Sequence, residues 1–246
     1  MQRSKLRFLL LQARNQGDRV LDEERAQFAS RMRVEMEQVV PRDLLSQPLS
    51  LAMLQGYDAL LVGGSGEYSV LDEHPGIEAG KELLAEVAQV GFPTFASCFG
   101  FQLMVEGMGG QVILDADNAE VGTFKLELTP EGASDPIFGT LPPRFDAQLG
   151  HRDRAYTMPA GVHTLASSPC CPHQALRVST KPVYAAQFHP ELTWLDNRGR
   201  FERYMDYYGR LFGEVEAGRI LREDFRASPA ASSLLGVFVD VVLGAA

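Results

Sequence analysis

The sequence predicts an α/β fold of three layers, with a mostly parallel central sheet flanked by helices and an antiparallel extension. Three observations predict it. Short apolar runs alternate with helix-spaced segments through the first half of the chain, the order that builds parallel sheets covered on both faces. A glycine-rich turn and a cysteine-bearing turn fall where two of those runs end, and ligands of such sheets gather at the carboxyl ends of strands. From Val121 onward the texture changes to alternating strands joined by proline-rich connections, the pattern of antiparallel pairs.

The elements follow in order. Residues 6–11 form a continuous apolar run, as a strand buried on both faces requires. Residues 22–32 read as a helix, and Tyr57-Asp58-Ala59-Leu60-Leu61-Val62 as a second strand ending at Gly63-Gly64. In 78–90, Leu83, Leu84, Val87 and Val90 share one helical face, and Gly91 stops the helix. Phe92-Pro93-Thr94-Phe95-Ala96 begins the next strand, and Phe124-Lys125-Leu126-Glu127-Leu128 alternates as an antiparallel strand does. The tail returns to helix from about residue 200. There Phe201, Met205, Tyr208 and Phe212 make an aromatic stripe expected in a core. The stretch 234–246, with Leu234, Leu235, Phe238, Val241 and Val242, is either core or a dimer face. With no repeat, low-complexity tract or long linker, residues 1–246 read as one domain.

Composition narrows the class. Hydrophobic residues make up 45% of the 246 and charged residues 22%, an ordinary globular balance. A net charge of −9 speaks against general nucleic-acid affinity, which rests on Lys and Arg neutralising phosphates. Three cysteines, two of them adjacent, make a poor disulfide framework and point to free thiols in a reducing compartment. The apolar run after Arg3, Lys5 and Arg7 is too short for a signal peptide, and the apolar tail is interrupted by Asp240 and too short to span a membrane. The expectation is a soluble, cytoplasmic protein.

Chemistry concentrates at three turns. In Ala96-Ser97-Cys98-Phe99-Gly100-Phe101-Gln102 an apolar strand meets a helical pattern at Cys98, a strand-to-helix elbow. Gly100 permits the close chain approach such a turn needs. The N-terminus of a helix stabilises a thiolate, and the Phe99 N–H would face an oxyanion formed on a substrate. Without that setting, a free cysteine is usually a small buried hydrophobe. In Gln187-Phe188-His189-Pro190-Glu191, residues two apart in an extended chain point the same way. Glu191 can then orient His189, leaving its other ring nitrogen for a thiol. Val62-Gly63-Gly64-Ser65-Gly66 lacks the lysine and hydroxyl of a phosphate loop, so it reads as a plain turn or as an oxyanion-hole contributor. Cys170-Cys171-Pro172-His173 matches no usual zinc spacing, so no metal is expected, and His74 and His163 read as surface or loop residues.

The order of glycine turn, Cys-x-Gly-x-Gln elbow and His-Pro-Glu resembles the class I glutamine amidotransferases over residues 6–191, and is most similar to GMP synthase glutaminase domains and their stand-alone relatives. The resemblance implies a flavodoxin-like three-layer domain. It implies a triad in which Cys98 attacks the glutamine side-chain amide to give a glutamyl thioester, with His189 as base and acid and Glu191 orienting it. It further implies that Gly64 and Phe99 hold the oxyanion, that Gln102 contacts substrate, and that His151, in Leu149-Gly150-His151-Arg152-Asp153, lines the pocket. No cofactor is implied. Two departures stand out: Phe101 where many relatives carry histidine, and Gly-Gly-Ser-Gly in place of Gly-Gly-Pro. The sequence contains no ATP-binding loop, so ammonia would pass to a separate synthetase, or a γ-glutamyl compound would be hydrolysed outright. A cysteine α/β-hydrolase is disfavoured because there the acid precedes the histidine. A non-catalytic binding module would be expected to lack a triad member, and none is missing.

Overall fold

A computed structural model describes residues 2–46 and 48–245. Met1, Gln47 and Ala246, which the reading of 1–246 as one domain includes, lie outside the described residues. The strands are β1 (Phe8–Gln12), β2 (Val39–Asp43), β3 (Ala59–Val62), β4 (Thr94–Ser97), β5 (Gln111–Leu114) and β6 (Glu120–Leu128). They continue with β7 (Arg144–His151), β8 (Asp153–Thr157), β9 (Val162–Ser167), β10 (Ala175–Val178) and β11 (Val183–Ala186). Nine of them form one sheet in the order β2-β1-β3-β4-β11-β10-β9-β6-β7, while β5 and β8 pair apart. From β2 to β11 neighbours run parallel; from β11 to β7 they alternate antiparallel. The predicted mostly parallel sheet with an antiparallel extension is the architecture found.

Period-2 alternation along the central strands divides the core into two layers. Phe8, Leu10, Leu61, Phe95 and Tyr184 face one core, and Leu9, Leu11, Leu60, Val62 and Ala96 face the other. The first core is closed by α1 (Val20–Met32), through Phe28 and Met32. The second is closed by α2 (Pro75–Val90) and α3 (Phe99–Gly107). Leu83, Leu84 and Val87 of α2 are buried there, each contributing about 1.5–3 kcal/mol relative to exposure. His74 caps α2 by accepting from the Gly76 N–H at 3.0 Å, and Gly91, with φ of 74°, ends it in the left-handed region.

After the short α4 (Pro130–Ser134), the remaining helices are α5 (Trp194–Arg203), α6 (Met205–Phe212), α7 (Glu214–Glu223), α8 (Pro229–Ser232) and α9 (Leu234–Val242). Leu234, Leu235, Phe238 and Val239 are buried in the first core, so α9 spends its apolar face there. Phe201 stacks on Tyr208 with ring centroids 4.3 Å apart, as the expected core stripe requires, but the helix breaks at Tyr204 instead of running through. The parallel edge strand β2 was not foreseen. Among described residues no helix is long and apolar enough to cross a membrane.

Candidate active site

Three adjacent parallel strands, β3, β4 and β11, end at the same edge of the sheet. Each delivers one of the turns singled out in the sequence. β4 ends at Ser97, and Cys98 follows at the N-cap of α3 with φ 50° and ψ −102°. This backbone conformation is one that side-chain-bearing residues seldom adopt, and it persists because the surroundings fix it. The Cys98 N–H donates to Ala186 O at 2.8 Å, and the Gly100 N–H donates to Gly63 O at 3.2 Å. A Cβ on Gly100 would lie 2.8 Å from Val62 Cβ, so this position of the elbow requires glycine.

β11 pairs with β4 so that Ala186 lies opposite Ser97, which carries the following residues alongside Cys98. The buried His189 places Nδ1 2.6 Å from Glu191 Oε1. A carboxylate can only accept, so Nδ1 carries the proton and Nε2 is left for the neighbouring Cys98 thiol. Burial alone would lower the His189 pKa, but the charges of Glu191 and Cys98 outweigh it and raise it. Glu191 is fully buried, which alone would raise its pKa; His189, and beyond it Arg200, hold it below the usual carboxylate range.

β3 supplies Gly63 and Gly64. Because Gly63 O is engaged by Gly100, the Gly64 N–H on the same trans peptide points the opposite way, and it has no backbone partner among the described residues. The Gly64 carbonyl accepts from Arg14 at 3.2 Å, and Arg14 in turn pairs with the buried Glu24 at 3.1 Å. Glu24 lies so close beneath the turn that a Cβ on Gly63 would sit 2.6 Å from its carboxyl carbon. A Cβ on Gly64 would sit 2.7 Å from His189 Cε1. Gly64→Ala therefore displaces the imidazole, and any steady-state turnover that depends on Cys98 and His189 is expected to fall about 100-fold, the usual cost of a misplacement near 1 Å. Circular dichroism should show the fold retained.

A cavity of about 250 Å³ opens over Cys98 and Phe99. Gln102 and His151 both line it, but their polar atoms are largely engaged by the protein. Gln102 Nε2 donates to Asp153 O at 2.7 Å and to Gln187 Oε1 at 3.2 Å. His151 Nδ1 faces Asp153 O and Nε2 faces Glu120 Oε2, each at 3.1 Å, so its ring holds the wall and has no nitrogen free for a ligand. Asp153 and Arg152 bring opposite charges to the lining, and Phe101 is spent in the second core. Cys171 is buried and donates to His173 O at 3.5 Å, and among the described residues no group of three or more His, Cys, Asp or Glu side chains is placed to hold a metal ion.

Several supporting residues escaped the sequence reading. Gln187 is fully buried and donates from Nε2 to Cys98 Sγ at 3.7 Å; a polar residue inside the run Ala185-Ala186-Gln187-Phe188 was its one signal. Glu24 falls on the buried stripe of α1 with Val20 and Phe28, an acid where an apolar residue is expected. Tyr204, Tyr207 and Tyr208 also line the cavity, although their spacing is that of a core stripe.

The architecture is that of an α/β protein with a strand-to-helix elbow at the carboxyl edge of a parallel sheet. Within that class the chain belongs to the family glutamine amidotransferase class-I, which matches residues 29–201. It is 29% identical over 182 residues to a glutamine-hydrolysing GMP synthase of Shewanella sediminis, an alignment covering 71% of this chain and 33% of that one. It is 31% identical over 123 residues to one subunit of the glutamine-hydrolysing GMP synthase of Methanocaldococcus jannaschii, covering 50% of this chain and 63% of that one. The chain thus spans about a third of the full-length synthase it matches. A solved glutamine amidotransferase of Thermotoga maritima shares the fold with a TM-score of 0.66 at 18% identity, covering 96% of this chain and 97% of that one.

Proposed function

We propose that the protein hydrolyses the side-chain amide of glutamine through a glutamyl thioester and releases ammonia for a separate synthase. The observation that carries this reading is that two adjacent parallel strands bring Cys98 and the His189–Glu191 pair side by side, with Cys98 itself lining a cavity of amino-acid size. The Cys98 thiolate attacks the amide carbon, and the N–H groups of Gly64 and Phe99 take the oxyanion. His189, protonated and held by Glu191, gives its proton to the departing nitrogen, so the C–N bond breaks and ammonia leaves. Water then attacks the thioester as His189 takes back a proton, and glutamate departs from a regenerated thiolate. Arg152 and Asp153 offer opposite charges to the zwitterionic end of the amino acid. The archaeal relative's being one subunit of a GMP synthase supports a separate partner as the ammonia acceptor.

The test is to incubate the pure chain with glutamine and with a panel of γ-glutamyl amides and peptides, and to measure ammonia and glutamate. Release from glutamine is expected. Turnover of γ-glutamyl peptides with none of glutamine would replace this reading with a γ-glutamyl hydrolase, and silence on all, even in the presence of a partner synthase, would leave a binding module.

A further inference from the structure

The cavity over Cys98 has one wall that lies outside the family-matched residues 29–201. Tyr204, Tyr207, Tyr208 and Leu211 line it, at the spacing of one helical face running from the end of α5 along α6. Asp206 and Arg210, on the other side of α6, are exposed. The wall is braced from behind. Tyr208 is stacked between Phe201 at 4.3 Å and Phe212 at 6.2 Å, over a small core of Val121, Phe201, Ala217 and Ile220. Tyr207 packs edge-on against Tyr208 at 5.3 Å, and the Arg152 guanidinium lies 5.5 Å over its ring. The helix is set off from its neighbours by the break at Tyr204 and by Gly213, with φ of 85°.

A second observation lies in the main body. A Cβ on Gly66 would sit 3.0 Å from the ring and hydroxyl of Tyr204, tighter than ordinary contact. The last glycine of the turn Gly63-Gly64-Ser65-Gly66 therefore leaves room for the Tyr204 side chain. With the wall in place the cavity measures about 250 Å³, below the roughly 300–1,000 Å³ typical of drug-sized ligands.

We propose that α6 is a size filter for access to Cys98: Tyr207 and Leu211, with Tyr204 seated against Gly66, admit a molecule of glutamine size and exclude bulkier ones, larger γ-glutamyl amides among them. The substrate half of this inference rests on the proposed amide hydrolysis; the access half does not. Both side chains are only partly buried, and Tyr208, which holds the stack, is left in place in the variants Tyr207→Ala and Leu211→Ala.

The test uses the full chain and two alkylating reagents of different size, iodoacetamide and N-phenyl iodoacetamide, with labelling of the Cys98 and Cys170 peptides followed by mass spectrometry. Cys170 is exposed and serves as an internal reference. In the wild type, Cys98 is expected to discriminate against the bulky reagent and Cys170 not to. Tyr207→Ala and Leu211→Ala are each expected to raise the bulky-to-small rate ratio at Cys98 about tenfold, the discrimination a small change in an apolar pocket provides, with the Cys170 ratio unchanged. An unchanged or lower ratio at Cys98 overturns the filter, as does absence of Cys98 labelling in all three proteins. Wild-type assays with glutamine and γ-glutamyl anilide are run in parallel. Because labelling needs no turnover, a wild type silent on both substrates counts against the proposed hydrolysis alone, while preference for the anilide overturns the filter.

Discussion

Replacing Cys98 with alanine is expected to abolish release of ammonia and glutamate from glutamine while leaving the fold intact. Removing the nucleophile of a triad costs about a millionfold in kcat, so turnover should drop to background. The fold should survive because Cys98 contributes to structure mainly through its backbone, which donates to Ala186 O and accepts from the Gln102 N–H at 3.0 Å. Cys98→Gly separates chemistry from strain. At φ 50° and ψ −102° a residue with a side chain carries about 1–3 kcal/mol of strain. Glycine relieves it at about 0.5–1 kcal/mol of added unfolded-state entropy. The glycine variant should therefore be inactive yet more stable than the alanine variant by about 1 kcal/mol, which urea unfolding resolves. A glycine variant less stable than the alanine variant by about 0.5–1 kcal/mol would mean the elbow is not strained, and turnover in either would remove Cys98 from the chemistry.

The elbow was legible because its parts are local. An apolar strand, a small residue where Gly100 meets Val62 and a helix with apolar spacing lie within a dozen positions, and each has one structural meaning. What makes Cys98 meet His189 is not local. The pairing of β4 with β11 joins segments about ninety residues apart, and only the resemblance of motif order anticipated it. Edge strand β2 was missed because it lacks the signature of a central strand: only Val39 is buried, and Pro41, which cannot donate to a ladder, is tolerated at an edge. The C-terminal break was missed because Phe201, Tyr208 and Phe212 keep helical spacing across Tyr204, so periodicity alone sees one helix. For the same reason a stripe that is part core and part pocket wall reads as core throughout.

Glu191→Gln is expected to lower kcat/KM on glutamine by up to about 10,000-fold, the cost of neutralising the acid of such a relay while preserving its shape. The carboxylate does two things that an amide cannot do together. It fixes the proton on His189 Nδ1, and its charge overcomes the burial that would otherwise strip His189 of its positive form. The His189 pKa, pushed up to about 10 in the wild type, should fall toward the ordinary 6.5 in the variant. Since the imidazolium delivers the proton to the departing nitrogen, the alkaline limb of the kcat/KM profile should move from near pH 10 toward neutrality. Stability carries the same signature. The lowered pKa of Glu191 contributes stability that is complete above about 4.5 and is lost as pH falls through its folded value. The raised pKa of His189 contributes stability that is complete below 6.5 and is lost as pH rises to about 10. The difference in urea stability between wild type and Glu191→Gln should therefore be greatest between pH 4.5 and 6.5 and shrink on either side. Glu191→Asp keeps the charge but shortens the reach across 2.6 Å, so it should lose rate while retaining a high alkaline limb. An alkaline limb that stays in place in Glu191→Gln would separate Glu191 from the protonation of His189 and leave it only a packing role.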